Sequence, residues 1–334
     1  LQIWQPYRGR HDQDWYRGTA DALYQNHNFI AEDGSDLLLA LSGDHIYKQD
    51  YRDLLHFHQE KGADLTVAVM QVRPNEVHRF GIMSVDADQR ITQFTEKPKQ
   101  SESTLASMGI YVFNTAFLLR RLEEDARDPT SAHDFGKNII PKMVESDKTF
   151  AYPFGGYWVD VGTISAYWET NLALLEEDPA LDLYDPNWVI HTRSEERPPV
   201  KCTPFGEIKN SLTSNGCVIN GRVINSILSP GVCVERGAVV RDSVIMNDTT
   251  IRADALVERC ILDKEVEIGA GTQIGAGDDN TPNQLEPANL DTGITIVGKR
   301  ARIPAGATIG RNCRIDPNVT PDDFEHLGIH SGGT

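Results

Sequence analysis

Along the first half of the chain, short uninterrupted apolar runs alternate with segments whose apolar residues fall at helical spacing. Leu37-Leu38-Leu39-Ala40-Leu41 has the pattern of a strand buried on both faces, and it stops at Ser42-Gly43-Asp44. Tyr51, Leu54, Leu55 and Phe57 then recur at helical spacing as far as Lys61-Gly62, a helix stop. Residues 65–72 predict the next strand, 82–85 and 91–94 a hairpin, and 108–113 a further strand; helices are expected over 116–124, 138–145 and 165–176. Strands alternating with helices predict an α/β domain with a mostly parallel sheet over residues 1–185.

Asp178-Pro179, Asp185-Pro186 and Pro198-Pro199 interrupt any regular element, and residues 193–197 are strongly charged, so 186–207 reads as a linker. From 208 to 334 the apolar period becomes six: Ile245, Ile251 and Val257; Ile268 and Ile274; Ile303, Ile309 and Ile315. Gly, Pro, Asn and Asp fill the corners between them. Six is the period of a parallel β-helix, in which each hexad forms one flat side of a triangular coil. A β-sandwich of short strands is the competing arrangement, and three in-phase runs favour the solenoid. Residues 278–291 break the period and predict a loop ejected from the coil.

Composition narrows the function classes. The 334 residues carry 32 Lys and Arg against 49 Asp and Glu, a net charge of −17, which disfavours a sequence-independent nucleic-acid binder. No apolar stretch approaches the roughly 20 residues of a membrane span, and no secretory pattern opens the chain. Cys202, Cys217, Cys233, Cys260 and Cys313 are odd in number and form no CxxC pair, so reduced thiols and a cytoplasmic setting are expected, with neither a zinc site nor a disulfide framework. The opening residues 1–16 read as a polar, aromatic loop beginning without Met, as in a chain that has lost its natural start.

Candidate chemistry sits at strand ends. In open α/β sheets ligands gather beyond the carboxyl ends of strands, and Asp44 after Gly43 could offer an oxygen to Mg²⁺, or simply cap the next helix. Asp160, in Tyr157-Trp158-Val159-Asp160-Val161-Gly162-Thr163, reads as a second carboxylate for the same ion or as a cap. Lys97, in Glu96-Lys97-Pro98, could reach a phosphate as a point charge or pair with its neighbour. A helix beginning near Thr19 could offer its amides to an anion or a base edge. Asp134-Phe135-Gly136 spells the kinase magnesium triplet, but without a Gly-rich loop or an HRD segment it carries no kinase reading. His56 and His58 are spaced i, i+2 on one helix and face apart.

Taken together the motifs resemble a known family. Tyr16-Arg17-Gly18-Thr19-Ala20-Asp21-Ala22, Gly43-Asp44-His45-Ile46-Tyr47, Glu96-Lys97-Pro98, Ala106-Ser107-Met108-Gly109-Ile110-Tyr111-Val112-Phe113 and His133-Asp134-Phe135-Gly136-Lys137 occur in order. Asp160-Val161-Gly162-Thr163 with Tyr167-Trp168, then Leu183-Tyr184-Asp185 with Trp188, complete the series. Over essentially its whole length the chain resembles the bacterial ADP-glucose pyrophosphorylases, or glucose-1-phosphate adenylyltransferases.

The resemblance implies a nucleotidyltransferase-type α/β domain joined to a left-handed β-helix, assembled as a homotetramer in the cytoplasm. It implies an allosteric, Mg²⁺-dependent transfer of the adenylyl group of ATP to glucose 1-phosphate, giving ADP-glucose and pyrophosphate for glycogen synthesis. Carried over position by position, Asp44, Lys97 and Asp160 are the catalytic residues, with Asp44 and Asp160 holding the metal. Lys97 meets the sugar phosphate, Glu96 the sugar hydroxyls, and Tyr16, Gly81 and Ser107 line the same pocket. The family's opening Gly-rich loop, GGxGxRL in outline, has no counterpart here, which implies an N-terminally incomplete copy; Leu37-Leu38-Leu39-Ala40-Leu41 is then expected to have one unpaired edge. Ala31-Glu32 stand where some relatives carry basic residues, so allosteric control is expected to differ. Two alternatives remain: a non-catalytic regulatory subunit of the same family, against which Asp44, Lys97 and Asp160 together argue, and an acyltransferase built on the β-helix. His191, His326 and His330 are the only histidines of the C-terminal half and none lies within a coil, which disfavours the second.

Overall fold

The computed structural model describes residue 3 and residues 15–192 and 195–334. Most of the opening segment read as a loop, and two residues of the charged stretch 193–197, therefore lie outside the described residues. The chain divides into two compact units, Leu1–Trp158 and Val159–Thr334.

The first unit begins with two short helices of seven residues each, α1 (Thr19–Gln25) and α2 (His27–Asp33). There follow β1 (Leu37–Leu41), β2 (His45–Tyr47), α3 (Tyr51–Glu60), β3 (Leu65–Gln71), the hairpin β4 (Gly81–Val85) and β5 (Ile91–Glu96), and β6 (Leu105–Asn114). α4 (Thr115–Ala126), α5 (Ile140–Ser146) and β7 (Thr149–Pro153) complete it, with a π-helical turn over Phe135–Ile139 ahead of α5.

The sheet runs β5-β4-β6-β3-β7, and β1 pairs β6 alongside β4. Alternate residues of the long β6 serve two apolar layers. Ala106, Met108, Ile110 and Val112 join Leu54 of α3 on one face, while Phe113 joins Leu118, Leu122, Ile139, Ile140 and Met143 on the other. Two covered faces explain why β3 is buried over five successive residues.

Two expectations are refined at the level of neighbours. β1, β3, β4 and β7 all run one way, but β6 runs against them and lies between, so among the described pairs of this sheet only β3–β7 is parallel. β1, expected to be buried on both faces, is half-buried along four residues, and Leu41 is exposed. It has one described partner, β6, as the unpaired-edge expectation required. Continuous apolarity records the composition of a strand, whereas burial depends on what lies beside it.

β8 (Trp158–Asp160) begins at the last residue of the first unit, and the second unit continues into α6 (Ile164–Ala173), capped by Thr163, whose Oγ1 accepts the Ala166 N–H at 3.1 Å. The Trp168 indole N–H donates to Asp242 O at 2.8 Å, and the Arg259 guanidinium lies 4.7 Å from its ring. The remainder is a parallel β-solenoid of three sheets. Inward residues stack in register as Ile219-Val234-Ile251-Ile268-Ile303, Val223-Val240-Val257-Ile274-Ile309 and Leu228-Ile245-Leu262-Val297-Ile315. All fifteen are buried. Successive rungs are mostly 17 residues apart, as at Val223, Val240, Val257 and Ile274, so one coil is three sequence hexads less one residue.

Corners turn through left-handed residues at equivalent places, Asn210, Asn225, Asp242 and Arg259 at one and Gly237, Asp254, Gly271 and Gly306 at another. The step from Ile274 to Ile309 is 35 residues, and the extra length is the strandless excursion containing 278–291, the loop predicted from the broken period. The first solenoid strand is Lys201–Cys202, ahead of residue 208, and its exposed side chains explain why no apolar period marks it.

Candidate active site

β5 ends at Glu96, whose Cα partner across the hairpin is Gly81. The Glu96 carboxylate lies over two glycines. A methyl group on Gly136 would stand 2.4 Å from Glu96 Oε2, and one on Gly81 would stand 2.9 Å from the same atom. The space at Gly136 is therefore filled by the carboxylate, and that at Gly81 is shared between the carboxylate and the Phe94 ring, whose Cζ would stand 2.4 Å from the added methyl. Burial pushes the Glu96 carboxyl above its ordinary range, with Asp134 adding to the rise and Lys97 and Lys137 opposing it.

Lys97, one residue on, takes the left-handed conformation (φ +47°), uncommon for a side-chain-bearing residue. Its N–H donates to Phe80 O at 3.0 Å, which ties the turn to the start of β4, and its side chain is exposed. An exposed cation thus stands next in the chain to a seated carboxylate.

The floor of this place is aromatic. Phe135, adjacent to Gly136, stacks on Tyr111 with centroids 5.9 Å apart, and the Ser107 hydroxyl donates to the Tyr111 hydroxyl at 3.2 Å. Burial pushes the Tyr111 phenol up to about 12, so it stays a neutral donor. Ser107 is itself buried and accepts the Gly109 N–H at 3.2 Å. Gly81, Glu96, Lys97 and Ser107, named from the sequence, therefore share one locality with Tyr111, Phe135 and Gly136. The last three stood in quoted motifs without an assigned role. Asp134-Phe135-Gly136, met first as a kinase triplet, is the seat of Glu96.

Tyr16 lies near the α1–α2 junction, where its hydroxyl accepts from Asn26 Nδ2 at 2.9 Å. The amides at the start of α1 are committed elsewhere: Ala20 N and Asp21 N both donate to His133 O, at 2.9 and 3.3 Å. The expectation that they would serve an anion is thereby overturned. A backbone carbonyl already satisfies the donors a helix start leaves open.

Asp44 stands in the turn after β1 with its side chain 67% exposed, and its Oδ1 is 3.7 Å from His45 Nε2. His45 Nδ1 lies 2.7 Å from Met108 O; a carbonyl only accepts, so the proton is on Nδ1. The His45 ring meets Trp158 edge-on at 5.2 Å. Asp160 belongs to the second unit, at the end of β8, where its Oδ1 accepts the Gly162 N–H at 2.8 Å. Each carboxylate is an oxygen donor of the kind a hard divalent cation takes, and Asp44 has the exposure to receive one.

The chain's relationships bear on this geometry. The sequence profile of the nucleotidyl transferase family matches residues 5–177, and a profile described as GlmU-like, C-terminal hexapeptide matches residues 200–297. A glucose-1-phosphate adenylyltransferase of Thermomicrobium roseum is 50% identical over 333 residues, covering 99% of this chain and 78% of the relative. Enzymes of the same name from Acetivibrio thermocellus and Thermotoga neapolitana are 43% and 46% identical, over 99% of this chain and 78% and 79% of their own lengths.

Proposed function

Since this chain belongs to the glucose-1-phosphate adenylyltransferase family, we propose that it transfers the adenylyl group of ATP to α-D-glucose 1-phosphate, yielding ADP-glucose and pyrophosphate. The observation that carries this reading to particular residues is the seating of Glu96 over Gly81 and Gly136 with Lys97 beside it. A carboxylate is the natural acceptor for sugar hydroxyls, and a flexible ammonium the natural partner of a phosphate.

In the reaction a sugar-phosphate oxygen attacks the α-phosphorus of ATP in line, and pyrophosphate leaves from the opposite side. Little covalent work falls to the protein, which must position the two substrates and neutralise charge. Glu96 orients the glucose through its hydroxyls, and Lys97 holds the phosphate whose oxygen attacks. Ser107, Tyr111 and Gly81 bound the sugar's place, and Tyr16 contributes from the segment before α1. Asp44 and Asp160 would hold the divalent cation, which supplies charge neutralisation on the phosphates when bound.

The reading extends to Mg²⁺ as the metal, glycogen synthesis as the destination of the product, a homotetramer under allosteric control, and the cytoplasm as its place. These rest on family resemblance. No helix among the described residues is long and apolar enough to cross a membrane. The direct test is to incubate the protein with MgATP and glucose 1-phosphate and follow pyrophosphate release together with ADP-glucose. Pyrophosphate without ADP-glucose, or product formation with other nucleoside triphosphates but not ATP, would refute the assignment.

A further inference from the structure

His133 and Asp125 form a buried pair that the proposed reaction does not use: their side chains are 6% and 4% exposed, and His133 Nδ1 lies 2.8 Å from Asp125 Oδ2. The other Asp125 oxygen accepts from the Ser131 hydroxyl at 2.6 Å, and that hydroxyl oxygen accepts the His133 N–H at 2.9 Å. Three groups thus close a ring around one residue. That residue is held at φ +53°, a conformation in which histidine is uncommon. A buried ionisable pair is poor value as a stabilising device, since desolvation of both groups offsets their attraction. Its use must be sought in what the fixed backbone does.

The His133 carbonyl points at the start of α1, where it takes the Ala20 and Asp21 N–H groups. Contact is close enough that a methyl group on Gly18 would stand 2.3 Å from His133 O. The next residues continue the junction. Asp134 Oδ2 accepts from Thr19 Oγ1 at 3.2 Å, and Phe135 N donates to the same hydroxyl oxygen at 3.0 Å. Phe135 then stacks on Tyr111, and Gly136 receives the Glu96 carboxylate. The direction in which the chain leaves His133 therefore sets both the aromatic floor and the seat of Glu96.

We propose that the Asp125–His133 pair is a positioning device for the sugar-phosphate pocket, acting through the backbone at His133 to place Phe135 and Gly136 under Glu96. The proposal rests on the reading of Glu96 and Lys97 as the glucose 1-phosphate site. The Asp125–His133 bond holds the ring, the ring holds the left-handed backbone, and the backbone places Gly136. Neither side chain is asked to touch substrate. Ser131 belongs to the same device, because its hydroxyl bridges the Asp125 carboxylate and the His133 amide.

The test compares His133→Ala with His133→Asn, measuring equilibrium binding of glucose 1-phosphate to the full chain and KM for each substrate. Asn presents an N–H donor near the place of Nδ1 and tolerates the left-handed conformation, so it should restore what Ala removes. His133→Ala is expected to weaken glucose 1-phosphate binding by about tenfold or more and to raise its KM alike, with KM for MgATP within about twofold. His133→Asn should recover most of that loss. A general loss of fold would instead depress both substrates together, and Asn would rescue neither. If His133→Ala does not fold, the Asn variant alone decides, since a loss of sugar-phosphate binding of about tenfold or more in a folded Asn variant overturns the proposal. Unchanged binding in a folded Ala variant overturns it as well. Should the unsubstituted protein fail to bind glucose 1-phosphate at all, the reading of the site falls first, a result recognisable before any variant is made.

Discussion

The carboxylate of Glu96 occupies the space that Gly136 leaves by having no side chain, with Oε2 only 2.4 Å from where a Gly136 methyl group would be. Two segments forty residues apart are thereby fitted to each other at the atom proposed to meet the sugar. Because the opposing atom is the free end of a flexible side chain, a methyl group at Gly136 displaces Glu96 and leaves the backbone in place. Gly136→Ala should therefore raise KM for glucose 1-phosphate by about tenfold with little change in Tm. Gly18→Ala is the control of opposite sign. Its methyl group meets the backbone oxygens of His133 and Ala132 at 2.3 and 2.7 Å, which cannot move aside without breaking the start of α1. It should cost about 1–3 kcal/mol of stability in denaturant unfolding. Equal thermal stability in the two variants would contradict the distinction.

The raised Glu96 carboxyl predicts a trade between stability and binding. Burial is the largest cause of the rise, so the folded state disfavours the ionised form. Between the unfolded value near 4.5 and the higher folded one, the native protein binds more protons than the unfolded chain. The contribution of this group to stability is thus fully present below the unfolded value and is lost as pH rises through the folded one. Glu96→Gln removes that slope: its Tm at neutral pH should exceed that of the unsubstituted protein, the difference shrinking as the solution is acidified. The same variant should bind glucose 1-phosphate more weakly. Thermal melts across the acid range, beside binding titrations, check both halves.

Much of this was readable in the sequence, and the reason lies in what periodicity records. A rung such as Val223-Val240-Val257-Ile274 repeats because each position faces the same interior, and the excursion around 278–291 shows as the one place where the beat fails. The hairpin β4–β5 and the helix α3 were visible for the same reason. Polar partnership has no period. Nothing in the spacing of Asp125, Ser131 and His133 shows that they close on each other, nor that the amides of α1 are taken by a carbonyl more than a hundred residues away. The antiparallel insertion of β6 was not readable, because alternation of strands and helices does not say which strand is inserted between parallel ones. At the proposed site, motifs singled out Glu96 and Lys97 as candidates, while Gly136 required coordinates, since a glycine is informative only through what occupies its missing side chain.

Asp44 and Lys97 should separate by which kinetic constant they move. Asp44→Asn keeps size and an oxygen but loses the charge that a cation requires, so kcat should fall by about a hundredfold or more with an unchanged far-UV spectrum. Lys97→Gln keeps a polar side chain with the first two methylenes at a left-handed turn and removes the charge. It should raise KM for glucose 1-phosphate far more than KM for ATP. Equal effects on both substrates would remove Lys97 from the sugar phosphate, and full activity in Asp44→Asn would remove Asp44 from the mechanism.

The solenoid supplies a prediction independent of catalysis. At one corner a hydroxyl or thiol recurs coil after coil, each donating to the carbonyl two residues back: Ser211 to Lys209, Ser226 to Ile224, Ser243 to Arg241, Cys260 to Glu258. The side chain also accepts the N–H of its counterpart one coil on, as Ser243 Oγ does from Cys260 N at 3.1 Å. Ser243 is fully buried, so Ser243→Ala would leave that amide with no acceptor and the Arg241 carbonyl short of a donor. The expected cost is about 1–3 kcal/mol. Ser243→Cys should cost less, because cysteine already fills the equivalent places at Cys260 and Cys313. Burial, which pushes the Cys260 and Cys313 thiols up, also suits them to this role by keeping them un-ionised. A thiol reagent should accordingly label exposed Cys202 quickly and reach Cys260 and Cys313 only on unfolding. Rapid labelling of Cys260 in the native protein, or an Ala variant as stable as the parent, would contradict the ladder.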